Sequence, residues 1–156
     1  LSPKENREIP PLDYDRVYRL KAENGDRFIG LNGGVQSISE AVAHLERVDG
    51  VMIGRAAYHN PAVLAEVDRA IYGEGTDPVD AAAVIQAMAD YAGRHIAAGG
   101  RLSHVTRHMV GMFHAQPGAR RFRQILSTEA TRPDAGPEVL ERASAAVAEG
   151  LARNAA

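Results

Sequence analysis

The sequence predicts an α/β unit followed by an all-α unit, and three observations support this order. Short apolar runs alternate with helical segments between residues 27 and 71, and strands that alternate with helices pair in parallel. Beyond residue 76 the apolar residues recur only at helical spacing. A glycine-containing connector, residues 72–76, separates the two patterns. We therefore predict one domain over residues 1–72 and a second over residues 77–156.

The first βα unit begins with an apolar run, residues 28–31, which predicts a buried parallel strand. Asn32, Gly33 and Gly34 end this strand. Ser37 and Glu40 then have the spacing of a capping box, in which each side chain satisfies an exposed amide of the other residue. A core-facing helical stripe follows at the positions Ile38, Ala41, Val42, Leu45 and Val48.

The second βα unit has the same organisation. Residues 50–53 form another short apolar run, which ends at Gly54 and Arg55. Asn60 followed by Pro61 offers an N-cap and a proline at the first helical position, so we predict a helix that reaches about Ile71. Two such units cannot close a sheet, because a closed (β/α)₈ barrel takes roughly 250 residues. Either they pair with chain that is not present, or they form a small open sheet.

The second domain is predicted to contain four helices joined by short loops, which is typical of an antiparallel bundle. Asp77 with Pro78 is the predicted start of the first helix, and Pro137 is the predicted start of the last. The four predicted core stripes are Val84, Met88, Ala92 and Ile96; Leu102, Val105, Met109 and Phe113; Phe122, Ile125 and Leu126; and Leu140, Ala143, Val147 and Leu151.

Composition excludes several classes of protein. The chain has 0 Cys, so it has no disulfide, thiolate metal site or cysteine nucleophile. No apolar run approaches the roughly 20 residues of a membrane span, and the charged first residues are not a signal peptide. The net charge of −2 does not by itself indicate nucleic-acid binding. We expect a soluble cytoplasmic protein and, because the chain opens at Leu1 inside a charged segment, a piece of a longer one.

The two strand ends are the best candidate for a binding site, since parallel α/β folds bind ligands at the carboxyl ends of strands. Gly33 and Gly34 allow close approach of the backbone and can aim N–H groups at an anion. The helix after Ser37 would add its positive end, and Arg55 would add a forked cation. Together these residues predict a phosphate site. The alternative is that the glycines only make a tight turn and Arg55 is solvated.

A second candidate is a basic stretch. Between residues 94 and 132 there are seven arginines, Arg94, Arg101, Arg107, Arg120, Arg121, Arg123 and Arg132, against the single acid Glu129. Arg120 and Arg123 share a helix face. Such an excess of cations predicts contact with nucleic-acid phosphates, and the alternative is a solvated face. His104 and His108 have the spacing of helix-borne metal ligands, but no third ligand is evident, so we favour exposed or RNA-facing histidines.

Several segments resemble the tRNA-dihydrouridine synthases, and in particular their bacterial A subfamily. They are residues 1–7 (LSPKENR), 31–35 (LNGGV), 49–58 (DGVMIGRAAY), 60–61 (NP), 106–109 (TRHM) and 117–123 (PGARRFR). The resemblance implies the last two βα units of a flavin-binding (β/α)₈ TIM barrel, followed by a helical tRNA-binding domain. It also implies NADPH- and FMN-dependent reduction of uridine 20 or 20a of the tRNA D-loop to dihydrouridine, by a protein that is monomeric when complete.

The resemblance also assigns residues. Asn32, Gly33, Gly34, Gly54 and Arg55 would contact FMN, most simply at its phosphate, and Lys4, Arg7, Arg120 and Arg123 would contact tRNA. The family's general acid is a cysteine on an earlier barrel loop, so we expect this portion to be inactive alone. Two alternatives stay open: another FMN-dependent barrel oxidoreductase that acts on a small molecule, and a non-catalytic RNA-binding module. The reading frame upstream of Leu1 would distinguish them.

Overall fold

The computed structural model describes residues 2, 11–75, 77 and 79–155. Lys4 and Arg7, which the resemblance assigns to tRNA contact, lie outside the described residues. The described elements are α1 (Tyr14–Glu23), β1 (Gly30–Asn32), α2 (Ile38–Leu45), β2 (Gly50–Met52), α3 (Arg55–His59), a 3-10 helix (Pro61–Glu66), α4 (Val67–Tyr72), α5 (Ala81–Ala97), α6 (Leu102–Thr106), α7 (Ala119–Thr128) and α8 (Glu138–Ala155).

The two predicted strands pair in parallel, as the alternation of strands and helices requires. Leu31 on β1 is aligned with Val51 on β2. Leu31 lies at the centre of a small core that includes Val35, Ala41 and Val48. We predicted that the apolar run of residues 28–31 is buried. This is wrong for Phe28, which is 78% exposed. Its ring covers Gly50 instead, where an added Cβ would come within 2.8 Å of the ring.

Helix α1 has no counterpart among the sequence predictions. Asp13 is its N-cap, and the carboxylate accepts a hydrogen bond from the Arg16 N–H at 3.0 Å. Tyr14, Val17 and Tyr18 pack against the small core of the sheet without being fully buried. The apolar positions of this helix are few and two of them are tyrosines, so its periodicity is weak.

Helix α2 begins as predicted, with Ser37 as N-cap accepting from the Glu40 N–H at 3.2 Å. The second half of the capping box is displaced by one residue, because the Glu40 carboxylate accepts from the Gln36 N–H at 2.8 Å. The predicted stripe is also partly wrong. Val42 is exposed, and His44 is buried in its place. The His44 ring is stabilised there by a 2.5 Å hydrogen bond between its Nδ1 and the Tyr18 hydroxyl.

The segment after β2 departs from the prediction. A short helix, α3, begins directly at Arg55, whereas the sequence predicted no helix before Pro61. Pro61 does occupy a first helical position, but the helix there is 3-10 before it continues as α4, and the side chain of Asn60 makes no capping hydrogen bond. Gly73, in the left-handed conformation at φ 68°, ends α4 at the predicted connector.

Helices α5 to α8 share one hydrophobic core, in which Phe122 and Leu140 are completely buried. The predicted stripes through Leu102 and Phe122 are confirmed, since all their members are buried. Three details are wrong. The N-cap of α5 is Asp80 rather than Asp77. Of the predicted α5 stripe Ala92 is buried, but Ile85 and Ala89 are buried in place of Val84 and Met88. Leu151 on α8 is 46% exposed. Within the described ranges no helix is long and apolar enough to cross a bilayer.

Candidate functional site

The carboxyl ends of β1 and β2 open into a cleft of about 640 Å³. Three segments line this cleft: residues 11–13 before α1, residues 32–36 after β1, and residues 54–56 after β2. All five residues that the sequence assigns to cofactor binding are among them, namely Asn32, Gly33, Gly34, Gly54 and Arg55. The structure therefore brings the two predicted strand ends into one concave surface.

The conformation of the loop after β1 requires glycine at two successive positions. Gly33 has φ 141° and Gly34 has φ 75°, values that side-chain-bearing residues rarely adopt. The packing is also close. A Cβ on Gly34 would come within 2.5 Å of Leu12 Cδ1 and 2.6 Å of the Tyr14 hydroxyl oxygen. The glycine pair thus allows the loop to lie directly against the start of α1.

The electrostatics of the cleft favour an anion. Arg55 is exposed and forms no ion pair with the described residues. The Gly34 N–H likewise finds no acceptor within the described chain. Asp13 is the only carboxylate among the lining residues that the structure describes. The N-terminus of α2 attracts an anion less strongly than the sequence predicts. The Glu40 carboxylate lies there and already accepts a hydrogen bond from the Gln36 N–H.

Tyr14 joins α1 to the glycine loop. Its hydroxyl donates a hydrogen bond to the Gly33 carbonyl oxygen at 2.9 Å. Burial, with a smaller contribution from the Glu40 carboxylate, raises the pKa of Tyr14, so the hydroxyl keeps its proton and remains a donor at neutral pH.

A second cleft, of about 350 Å³, lies where α3 meets residues 107–114 and Arg123 of α7. Here the hydroxyl of Tyr58 and Nδ1 of His108 are 3.3 Å apart. The backbones also approach closely, because a Cβ on Gly111 would overlap the carbonyl oxygen of His59. We call this contact between α3 and residues 108–111 the seam. The lining of its cleft is Tyr58, His59, Arg107, His108, Val110, Gly111, His114 and Arg123.

A third cleft, of about 460 Å³, connects the other two. It shares Arg55 with the strand-end cleft and shares His59 and His114 with the seam cleft. No carboxylate lines either the connecting cleft or the seam cleft, as far as the described residues extend. A nearly acid-free, cation-lined path therefore runs from the glycine loop to Arg123.

The structure separates the two arginines that the sequence pairs. Arg123 lines the seam cleft, whereas Arg120, one turn earlier on α7, is exposed but does not line it. The sequence placed Arg107, His108 and His114 in the basic stretch and also offered His108 as a metal ligand, but it did not bring them together in a cleft. Tyr58 and His59 lie on α3, and no sequence signal linked them to that stretch.

The two histidines with metal-ligand spacing have different environments. The His104 ring makes an edge contact with His95, their centroids 5.7 Å apart, while His108 contacts Tyr58. Helix α6 ends at Thr106, so the two histidines do not share a helical face. Across the described ranges no three metal-ligating side chains of His, Asp or Glu cluster together.

Fold and site together define a class: a parallel α/β unit with a glycine loop at its strand ends, joined to a helical unit with a basic cleft. A family profile described as Dihydrouridine synthase (Dus) matches residues 2–148, and the chain belongs to that family.

Curated relatives support the same assignment. The chain is 51% identical over 149 residues to the tRNA-dihydrouridine(20/20a) synthase of Escherichia coli K12, which covers 96% of this chain and 43% of that protein. It is 51% identical over 147 residues to the enzyme of the same name from Vibrio cholerae, with coverage of 94% and 45%. For the Shewanella oneidensis enzyme the identity is 52% over 143 residues, with coverage of 92% and 43%. The chain thus spans less than half the length of these relatives.

Proposed function

We propose that this chain is the portion of a tRNA-dihydrouridine synthase that holds the phosphate end of FMN and contacts tRNA. The observation that carries this proposal is the continuity of the cleft system. The glycine loop and Arg55 line one end, and Arg123 lines the other. The family assignment and the names of the relatives support the same activity.

The strand-end cleft fits a phosphate monoester such as that of FMN. Gly33 and Gly34 leave no side chain between the backbone and Leu12 or Tyr14, so the loop is held close. Arg55 would supply a charge-assisted, forked hydrogen bond, and the Gly34 N–H would supply a second donor. Asn32 and Gly54 line the same cleft, and we assign them to the cofactor as well. When bound, FMN supplies the hydride that reduces the uracil ring, and NADPH is the reductant that restores it.

The seam cleft fits the phosphate backbone of RNA. Arg107 and Arg123 are exposed cations on its rim, and three imidazoles add hydrogen-bond donors and acceptors. Phosphate contacts of this kind position a nucleic acid without reading its sequence. We assign Arg120 to the outer part of the same surface, because it is exposed on α7 beyond the cleft. The target uridine must leave its stack to reach a flavin, and a cleft that joins both domains suits that requirement.

The substrate and the architecture of the complete protein belong to the same proposal. The substrate is tRNA, at uridine 20 or 20a of the D-loop, in the cytoplasm. β1 and β2 are the last two strands of a TIM barrel, residues 77–156 are a tRNA-binding helical bundle, and the complete protein is a monomer. The general acid is a cysteine outside this chain, which has 0 Cys and alone should not reduce uridine.

The proposal is tested with the full-length protein. Purified protein, FMN, NADPH and tRNA from cells that lack dihydrouridine at positions 20 and 20a are combined, and dihydrouridine is mapped by primer extension. We expect new dihydrouridine at these positions, and none when NADPH is omitted or when the protein has been stripped of its flavin. NADPH oxidation that is independent of tRNA, with no modified position, would instead favour an oxidoreductase acting on a small molecule.

The remaining alternative, a non-catalytic RNA-binding module, predicts another result in the same experiment. Such a module would bind tRNA in a salt-dependent manner but would neither retain FMN nor consume NADPH. The continuity of the two clefts argues against it, since a binding module has no use for a glycine loop and arginine beside its RNA surface.

A further inference from the structure

The hydrogen bond between Tyr14 and Gly33 constrains the backbone conformation of the loop after β1. Two successive glycines carry no Cβ, so the peptide between them can rotate at little steric cost. The Tyr14 hydroxyl, 2.9 Å from the Gly33 carbonyl oxygen, opposes such a rotation. Tyr14 is the first residue of α1, and 19 residues separate it from Gly33.

The orientation of this peptide decides where its N–H points. In a trans peptide the carbonyl oxygen and the next N–H lie on opposite sides of the chain. When Tyr14 binds the Gly33 carbonyl oxygen, the Gly34 N–H must point away from Tyr14. That N–H has no acceptor among the residues described, and Gly34 lines the strand-end cleft.

We propose that Tyr14 is a positioning residue for the cofactor phosphate: its hydroxyl holds the Gly33–Gly34 peptide in the orientation that presents the Gly34 N–H to the phosphate. This inference rests on the proposed FMN site and assigns it a residue outside the glycine and arginine motifs. Tyr14 would not touch the cofactor, since it acts from the opposite side of the loop.

The surroundings of Tyr14 suit this role. Its ring packs edge-on against His44, with centroids 4.6 Å apart, and His44 is itself held by the Tyr18 hydroxyl. Tyr14 is therefore held by a histidine that is itself fixed, in addition to its own bond to the loop. Tyr18 contacts the same histidine and, among the described residues, forms no hydrogen bond with the glycine loop. It is a matched control, because its replacement disturbs the same histidine and leaves the Gly33 carbonyl bond in place.

The test compares Tyr14→Phe with Tyr18→Phe in the full-length protein. The affinities of the apoprotein for FMN and for riboflavin, which lacks the phosphate, are measured by quenching of flavin fluorescence. We expect Tyr14→Phe to weaken FMN binding about fivefold, the loss of one neutral hydrogen bond, with riboflavin binding unchanged. Tyr18→Phe should leave the ratio of the two affinities unchanged, because a merely structural effect would weaken both ligands alike.

An unchanged FMN-to-riboflavin ratio in Tyr14→Phe, or the same fall in Tyr18→Phe, would overturn the inference. A second measurement needs no variant: hydrogen exchange of the Gly34 amide in the wild-type protein should slow when FMN binds, and an unaltered rate would count against the role. Arg55→Ala separates the two proposals. If it weakens FMN and Tyr14→Phe does not, only the inference fails; if Arg55→Ala has no effect, the proposed site itself is wrong.

Discussion

The hydroxyl of Tyr58 lies 3.3 Å from Nδ1 of His108, although 50 residues separate the two in the chain. Tyr58 belongs to α3, whose first residue is Arg55, and His108 comes just after α6. One short helix thus carries the proposed cofactor cation at its start and a contact to the proposed RNA surface near its end. The seam therefore sets how the two surfaces are aligned.

Tyr58→Phe removes the hydroxyl at the seam and keeps the ring contacts with His59 and His108. We expect tRNA affinity of the full-length protein to fall about two- to threefold, the lower range for an exposed hydrogen bond, while FMN affinity is unchanged. Filter binding and flavin fluorescence measure the two effects. Tyr91→Phe is the control, since Tyr91 stacks on His95 away from the seam. Equal losses for both ligands would show that Tyr58 supports folding and not alignment.

Gly111→Ala tests the close approach of the two backbones. The new Cβ would overlap the His59 carbonyl oxygen, so one segment must move, and forced shifts of this kind cost about 1–3 kcal/mol. We expect lower stability in urea denaturation and weaker tRNA binding. The control is Gly25→Ala, where no atom lies within 4 Å of the added Cβ. If Gly111→Ala is as stable as the control, the seam is not closely packed in solution.

Arg55→Ala should weaken FMN binding about 10- to 100-fold, because a charge-assisted hydrogen bond is worth about 1.5–3 kcal/mol. Riboflavin affinity should not change, since the lost partner is the phosphate. Arg69→Ala is the control, an exposed arginine on α4 that lines none of the three clefts described. If the Arg55 variant retains as much FMN after dialysis as the wild-type protein does, Arg55 does not contact the cofactor.

Arg123→Ala and Arg120→Ala distinguish the cleft from the rest of the basic face. Of these two arginines only Arg123 lines the seam cleft. Its loss should therefore make the slope of log tRNA-binding constant against log salt concentration less steep by about one unit. Arg120→Ala should change the slope less, and Arg107→Ala should resemble Arg123→Ala. The slopes are obtained from binding isotherms between low and physiological salt. A larger effect for Arg120 would place the RNA outside the cleft.

Asp49 makes the stability of the fold around β1 and β2 depend on pH. Its carboxylate accepts from Lys21 and from the Ile29 N–H, both at 2.8 Å. The Lys21 bond, followed by the Ile29 bond, holds the pKa of Asp49 below its usual 3.8. A lowered pKa stabilises the fold above the unfolded value, and this contribution is lost as the pH falls through the folded value.

Asp49→Asn should therefore lower the melting temperature at pH 7, and the difference from wild type should shrink as the pH falls below 3.8. Thermal melts across this range provide the measurement. Asp26→Asn is the control, because Asp26 forms no ion pair within the described part of the chain. A difference that persists unchanged into acid would mean that the pair with Lys21 contributes nothing.

Local patterns predicted much of the fold. Ser37 caps α2 because an N-cap needs only a side-chain oxygen three residues before an exposed N–H. Leu102, Val105, Met109 and Phe113 are all buried as predicted, although helix α6 ends before Met109. The failures are also instructive. Phe28 is apolar but exposed, and Asp77 resembles an N-cap although the N-cap of α5 is Asp80. Neither the exposure of a side chain nor the start of a helix is determined only by the residues next to it in the sequence.

By itself, the sequence determined the parallel strand pair, the glycine loop and the helical core, because each depends on residues that are close together in the chain. The assignment of residues to FMN and to tRNA came from the resemblance to known synthases, because the residue patterns alone left alternatives open. Only the tertiary structure decided that Tyr14 holds Gly33, that Tyr58 meets His108, and that Arg123 rather than Arg120 enters the cleft. These are contacts between distant segments, and their geometry depends on how whole helices pack, which no local spacing records.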